Sequence, residues 1–320
     1  MSIKVSEATL VGKWYCEVIE QVRHFVQAGF YFSKRTDLQS SLVGDGQLSD
    51  GDRDYLAVKY YNIRNRIPTQ RKREVHICRG VNCPPNLQSG FEMLKRELKE
   101  GSDLLPRMSR ATKDLDASDG MLNDWGIQHF HLGTVPDKKY PDLVQGDKFI
   151  AYVYMTEDDA FVITIDDHGK WGEKCLLEKL LADFPHVLDD WKTDAHELSF
   201  EADGKDRDSL RKAHINMGVI LNGTVYMRPY GGDAMDGSSV NAVWNFLQDR
   251  KFLVKVCDGV KNIWGSCGWG EVDFINSRLL DFRRGREWFV HLEKEGGTSS
   301  VLIFHNEGQV IARCFLPVSC

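Results

Sequence analysis

The sequence predicts an α+β protein, with antiparallel sheets and packed helices in two associated lobes. Three observations lead to this class. Long segments near the N-terminus and at 174–184 repeat apolar residues at helical spacing. Short alternating runs, bounded by Gly, Asn and Asp, gather in the middle and at the end of the chain. Several of the strand runs are linked by connections short enough to be hairpin turns. A chain of 320 residues can bury a sizeable core without disulfide or metal staples.

In order along the chain, residues 6–32 present Leu10, Trp14, Val18, Val22, Phe25 and Val26 as one apolar stripe, with Ser6 as the expected N-cap. Asp37 to Asp54 is polar and rich in Gly and Asp, and reads as a loop. Glu74 to Cys78 alternates as a strand, and Leu87 to Glu100 is helical with Gly101 in the position of a C-terminal cap. A short helix is expected at Ser118–Asp124, then strands at Gly126–Gly133, Phe149–Thr156 and Ala160–Asp166. Lys174 to Phe184 is an amphipathic helix stopped by Pro185. After an acidic linker, Asp189–Asp206, a helix is expected at Asp208–Met217. Asn222-Gly223 marks a tight hairpin within Val219–Met227. A helix at Ser238–Asp249, a strand at Phe252–Cys257 and a meander (Glu287–Leu292, Ser300–His305, Gln309–Leu316) complete the reading. The expected division is an N-terminal α+β lobe over 1–195 and a C-terminal α+β lobe over 196–320 that ends in the meander.

Composition excludes several classes. No apolar run approaches the roughly 18 residues of a membrane span, and the first residues lack the basic and apolar regions of a secretory signal. Eight scattered cysteines in a chain expected in the cytoplasm are read as reduced thiols. The net charge of −6 is unevenly spread: Tyr60–Lys113 holds twelve basic and five acidic residues. The densest part carries Arg64, Arg66, Arg71, Lys72 and Arg73, with Tyr60 and Tyr61 just before it. Such a run fits a phosphate backbone, with the tyrosines as base-stacking platforms. It equally fits a solvated face, or a patch that docks on the chain's own acidic part.

The most chemically suggestive stretch is Asp124-Trp125-Gly126-Ile127-Gln128-His129-Phe130-His131-Leu132-Gly133. On a strand, His129 and His131 share one face while Phe130 and Leu132 enter a core on the other. His168, at the end of another expected strand, completes a three-histidine group if the two strands are neighbours, with Lys170 close by as a cation. Imidazoles titrate near neutrality, so one can accept the 2′-hydroxyl proton of RNA while another protonates the leaving 5′-oxygen. The same histidines with Asp166 or Asp167 also suit a zinc-type metal. Two strand histidines held by carboxylates and doing nothing more remain the bland alternative. His76-x-Cys78-x4-Cys83 lacks a fourth ligand and has no zinc-finger spacing. No Walker lysine follows the Gly231–Gly237 loop, and there is no dinucleotide-binding glycine fingerprint.

Over residues 60–190, the Asp124–Gly133 motif, followed by Ile150–Met155 and Phe161–His168, resembles a group of uncharacterised bacterial proteins of defence and mobile-element type. The strand order and closing helix also resemble, loosely, RelE-like ribonuclease toxins. The paired histidines, with the basic segment just upstream of them, lead to the expectation of a metal-independent endoribonuclease of toxin or phage-defence type, with no cofactor, acting on RNA more than DNA and away from membranes. A protein partner or antitoxin is implied as well. The alternatives are a non-catalytic subunit that binds nucleic acid or protein in a defence or mobile-element complex, and a metal-dependent hydrolase.

Overall fold

The structure is a computed structural model of the full chain, and it describes residues 7–44, 46–170, 172–251 and 254, together with the backbone of four later strands. The chain divides into two compact units, one made of Met1–Ala28, Ser40–Tyr60 and Asn245–Cys320, the other of Gly29–Gln39 and Tyr61–Trp244. Position 195, the boundary expected from the sequence, falls inside the second unit. The hairpin Val219–Tyr226 shows why: Val219, Leu221 and Tyr226 are buried in one cluster with residues from 121 to 191.

Helices α1 (Glu7–Gln27), α2 (Thr36–Val43) and α3 (Asp50–Arg66) come first. Within the first unit the apolar stripe of α1 buries Trp14, Val18 and Val22, and Trp14 stacks on Phe246 with ring centroids 5.9 Å apart. That unit also holds an antiparallel sheet in the order β7 (Glu271–Asp273), β10 (Val310–Phe315), β9 (Thr298–His305), β8 (Trp288–Glu295). The expected meander is therefore present as strands, joined by β7, which sequence reading did not foresee. Ser6, both meander turns and Phe252–Cys257, except position 254, lie outside the described residues.

The second unit is organised on a four-stranded sheet in the order β1 (Glu74–Ile77), β4 (Asp159–Asp167), β3 (Phe149–Met155), β2 (Ile127–His131). β2, β3 and β4 form an antiparallel run, whereas β1 lies parallel to β4, so this sheet is mixed. One face buries Ile127, Tyr152 and Ile163 under α5 (Gly120–Trp125), α6 (Cys175–Asp183) and the hairpin of β5 (Val219–Leu221) and β6 (Thr224–Tyr226). The other buries Phe130, Val153 and Val162 against Phe91, Leu94 and Leu98 of α4 (Gln88–Glu100). Gly101 caps α4 in the left-handed region at φ 76°, as the sequence implies. A capping box on Asp203 and Asp206 starts α7 (Gly204–Lys212), four residues before the expected start. Residues 240–251 form the next helix.

The larger difference is at Asp37–Asp54, expected as a loop, where α2 and the start of α3 are found. Three of its acidic residues sit in first helical turns, Asp37 in α2 and Asp50 and Asp52 in α3, where the N-terminal partial charge favours them. Leu38, Leu42 and Leu56 are buried.

Candidate functional site

Strand pairing places His129 opposite Tyr152 and His131 opposite Ile150, so both imidazoles leave the same face of the edge strand β2. Phe130 and Leu132 are fully buried on the opposite side, as alternation requires. His168 follows β4, and its N–H donates to the Lys148 carbonyl at 3.0 Å. That bond turns the chain so that the His168 ring lies 5.2 Å from His131 and 6.4 Å from His129, centroid to centroid. The three histidines anticipated from sequence are thus brought together, although one strand separates β2 from β4.

Their surroundings differ. The Asp119 carboxylate, which also caps α5, lies 3.6 Å from Nδ1 of His129. Nδ1 of His131 is buried and has no hydrogen-bond partner among the described residues. Burial, followed by the neighbouring His129 and His168, pushes His131 down to about 4. Burial and His129 also hold His168 below the usual imidazole value. His131 is positioned from behind by the buried Arg107, which ion-pairs with Glu97 and donates to the carbonyls of His131 at 3.2 Å and Gly133 at 3.4 Å.

Two hollows open on the imidazoles. One, of about 470 Å³, contains His131, His168, Ser109, Arg110 and Lys138. The other, of about 450 Å³, contains His129, His168, Ser109, Arg66, Arg211 and Lys212. Both hold ion-paired guanidinium groups: Arg110 pairs with Asp137 of the same hollow at 2.5 Å, and Arg211 pairs with Asp124 at 2.8 Å, while Asp119 and Asp208 also line the second hollow. Burial pushes Arg66 down to about 10, which leaves it a cation at neutral pH.

The remaining sequence candidates are placed differently. Lys170 lines neither hollow; its charge acts on the thiol of Cys175, and its N–H faces the Tyr152 hydroxyl at 3.4 Å. Gly169, at φ 101°, turns the chain between His168 and Lys170. Within the basic segment, Arg66 is buried and donates to the Asp114 carbonyl at 2.8 Å and the Ala111 carbonyl at 3.3 Å. Arg71 pairs with Glu157 at 2.8 Å and Asp158 at 2.5 Å, and the buried Arg73 donates to the carbonyls of Thr156, Thr69 and Arg71. Only Arg64 and Lys72 of the five are exposed, while Tyr60 and Tyr61 are buried and cannot stack on bases. The segment is mainly a clasp on the chain's own carbonyls and carboxylates.

Sequence reading missed Ser109, Arg110, Asp119 and Arg211 as site residues. Arg110 was visible in the charge run, and Asp119 fell inside the helix expected at Ser118–Asp124, but neither pattern points to an imidazole. As for metals, one His/carboxylate group among the described residues has all its donor atoms within 4.8 Å: Glu74, His76 and Asp159. It lies on β1 and β4, at the opposite edge of the sheet from β2. The three imidazoles do not meet that distance.

Fold and site together define an α+β protein with a three-imidazole cleft at the edge of a mixed sheet. Set against known protein families, curated proteins and solved structures, the chain matches none of them.

Proposed function

We propose that the cleft cleaves RNA without a metal ion, by attack of a 2′-hydroxyl on the adjacent phosphodiester. One observation carries this reading: three imidazoles meet between hollows that carry guanidinium groups. His131, held neutral, accepts the 2′-hydroxyl proton as the new O2′–P bond forms. The P–O5′ bond breaks, and His129, with the Asp119 carboxylate 3.6 Å from its Nδ1, delivers a proton to the leaving oxygen. Arg110 and Arg66 balance the charge that grows on the phosphoryl oxygens. The products are a 2′,3′-cyclic phosphate and a free 5′-hydroxyl.

The deciding experiment incubates purified protein with RNA and with DNA, with and without EDTA, and maps the ends. Cleavage of RNA alone, unaffected by chelator and leaving cyclic phosphate ends, is expected; a His129→Ala, His131→Ala double variant that stays folded should lose at least a hundredfold in rate. Equal cutting of DNA, a requirement for metal, or full activity of the folded double variant overturns the reading. A second reading has its own support. An imidazole pushed down to about 4 is a weak base at neutral pH, which favours a non-catalytic subunit that binds nucleic acid in the same cleft without turnover.

A further inference from the structure

The two hollows share Ser109 and His168, and each adds an imidazole of its own, His131 in one and His129 in the other. Each also has its own guanidinium, Arg110 on the first side and Arg66 with Arg211 on the second. Their volumes, about 470 and 450 Å³, are nearly equal, and each falls within the roughly 300–1,000 Å³ of small-ligand sites. Apolar side chains line both, Met108 and Leu143 in the first and Met121 in the second. From the geometry we infer that the cleft takes two consecutive unpaired nucleotides, with the phosphate between them at Ser109 and His168 and one nucleoside in each hollow.

The inference rests on the nuclease reading for its choice of RNA, and it adds what that reading leaves open: the substrate is single-stranded and is held on both sides of the bond that breaks. His131 lines one hollow and His129 the other, which gives each side of a phosphate held at Ser109 and His168 an imidazole of its own, one to take a proton and one to supply it. A base in a helix is paired and stacked, so it enters such a hollow only after unstacking at a cost of a few kcal/mol. A mononucleotide fills only one hollow. Linking two occupants makes the second binding event intramolecular, which strengthens binding beyond either half.

The test uses a dinucleotide with a 2′-deoxy sugar on its 5′ side, which has no attacking hydroxyl, and compares it by calorimetry with each mononucleotide. The dinucleotide should bind at least tenfold more tightly than either half, and its addition should shift the NMR signals of all three imidazoles. Ala117→Trp, which fills the second hollow, and Gln145→Trp, which fills the first, should each reduce dinucleotide affinity to that of a mononucleotide; thermal melting verifies that each is folded. The comparison in the unsubstituted protein stands even if either variant fails to fold. Equal affinities for dinucleotide and mononucleotide, or no dinucleotide binding, overturn the inference. If the deoxy dinucleotide spans both hollows but the all-ribose form is never cut, the nuclease reading fails and two-sided binding stands. If RNA is cut as fast in a duplex as in a single strand, the nuclease reading stands and the inference fails.

Discussion

His131 carries an acid-sensitive contribution to stability. In the unfolded chain its imidazole titrates near 6.5, whereas burial and two neighbouring imidazoles push it down to about 4 in the fold. Between those values the unfolded chain binds the extra proton, so stability falls as pH drops from about 6.5 towards 4 and is fully retained above that window. The difference amounts to at most about 3 kcal/mol. Chemical denaturation at pH 7 and pH 4.5 should show a larger loss for the native sequence than for His131→Gln, and the His131 ring protons should titrate near 4 by NMR. Equal losses, or a midpoint near 6.5, would show that the ring is solvated. The histidine pair was legible in the sequence because alternation along a strand is a local property. The fate of the arginines was not, because the carboxylates that hold Arg71, at positions 157 and 158, come from a turn far along the chain. Lys170 lines neither hollow, and a glycine with positive φ separates it from His168.

α4 passes close to the backbone just after β2. A Cβ placed on Gly90 would lie 1.7 Å from the Leu132 carbonyl oxygen, and that neighbour is backbone, unable to swing aside. Gly90→Ala should therefore force the helix away from the strand and cost about 1–3 kcal/mol or more, against a stabilising effect of the same change in an ordinary exposed helix. Thermal melting checks the sign. Because the strand residue before Leu132 is His131, the same variant should disturb the histidine NMR signals, whereas a Gly→Ala change on the open side of α1, at Gly12, meets nothing within 4 Å. Elements with local signatures were readable: α4 from its stripe and terminal glycine, the β5–β6 hairpin from Asn222-Gly223, both at positive φ. α3 was missed because its polar, Asp-rich first turn mimics a loop, although Leu56, Ala57, Tyr60, Tyr61 and Ile63 bury one broad face at helical spacing.

At the scale of the molecule, a net charge of −6 opposes any polyanion, and most guanidiniums of the basic segment are engaged internally. Binding to single-stranded RNA should then involve only two or three phosphates, and the plot of log affinity against log salt should be no steeper than about −2. A slope near −5 would mean that the clasp opens and the arginines reach the nucleic acid. The α+β class was readable from the mixture of periodicities, but the parallel joining of β1 to β4 was not, since a strand's own sequence says nothing about the direction of its partner. That joining also sets an order in time. β2, β3 and β4 are sequential neighbours that pair through local connections, while β1 is made before α4, α5, β2 and β3 yet has no edge to join until β4 exists. Long-range parallel pairing closes slowly, so during synthesis β1 waits, and the strands that carry or adjoin the imidazoles come together before the sheet gains its last member.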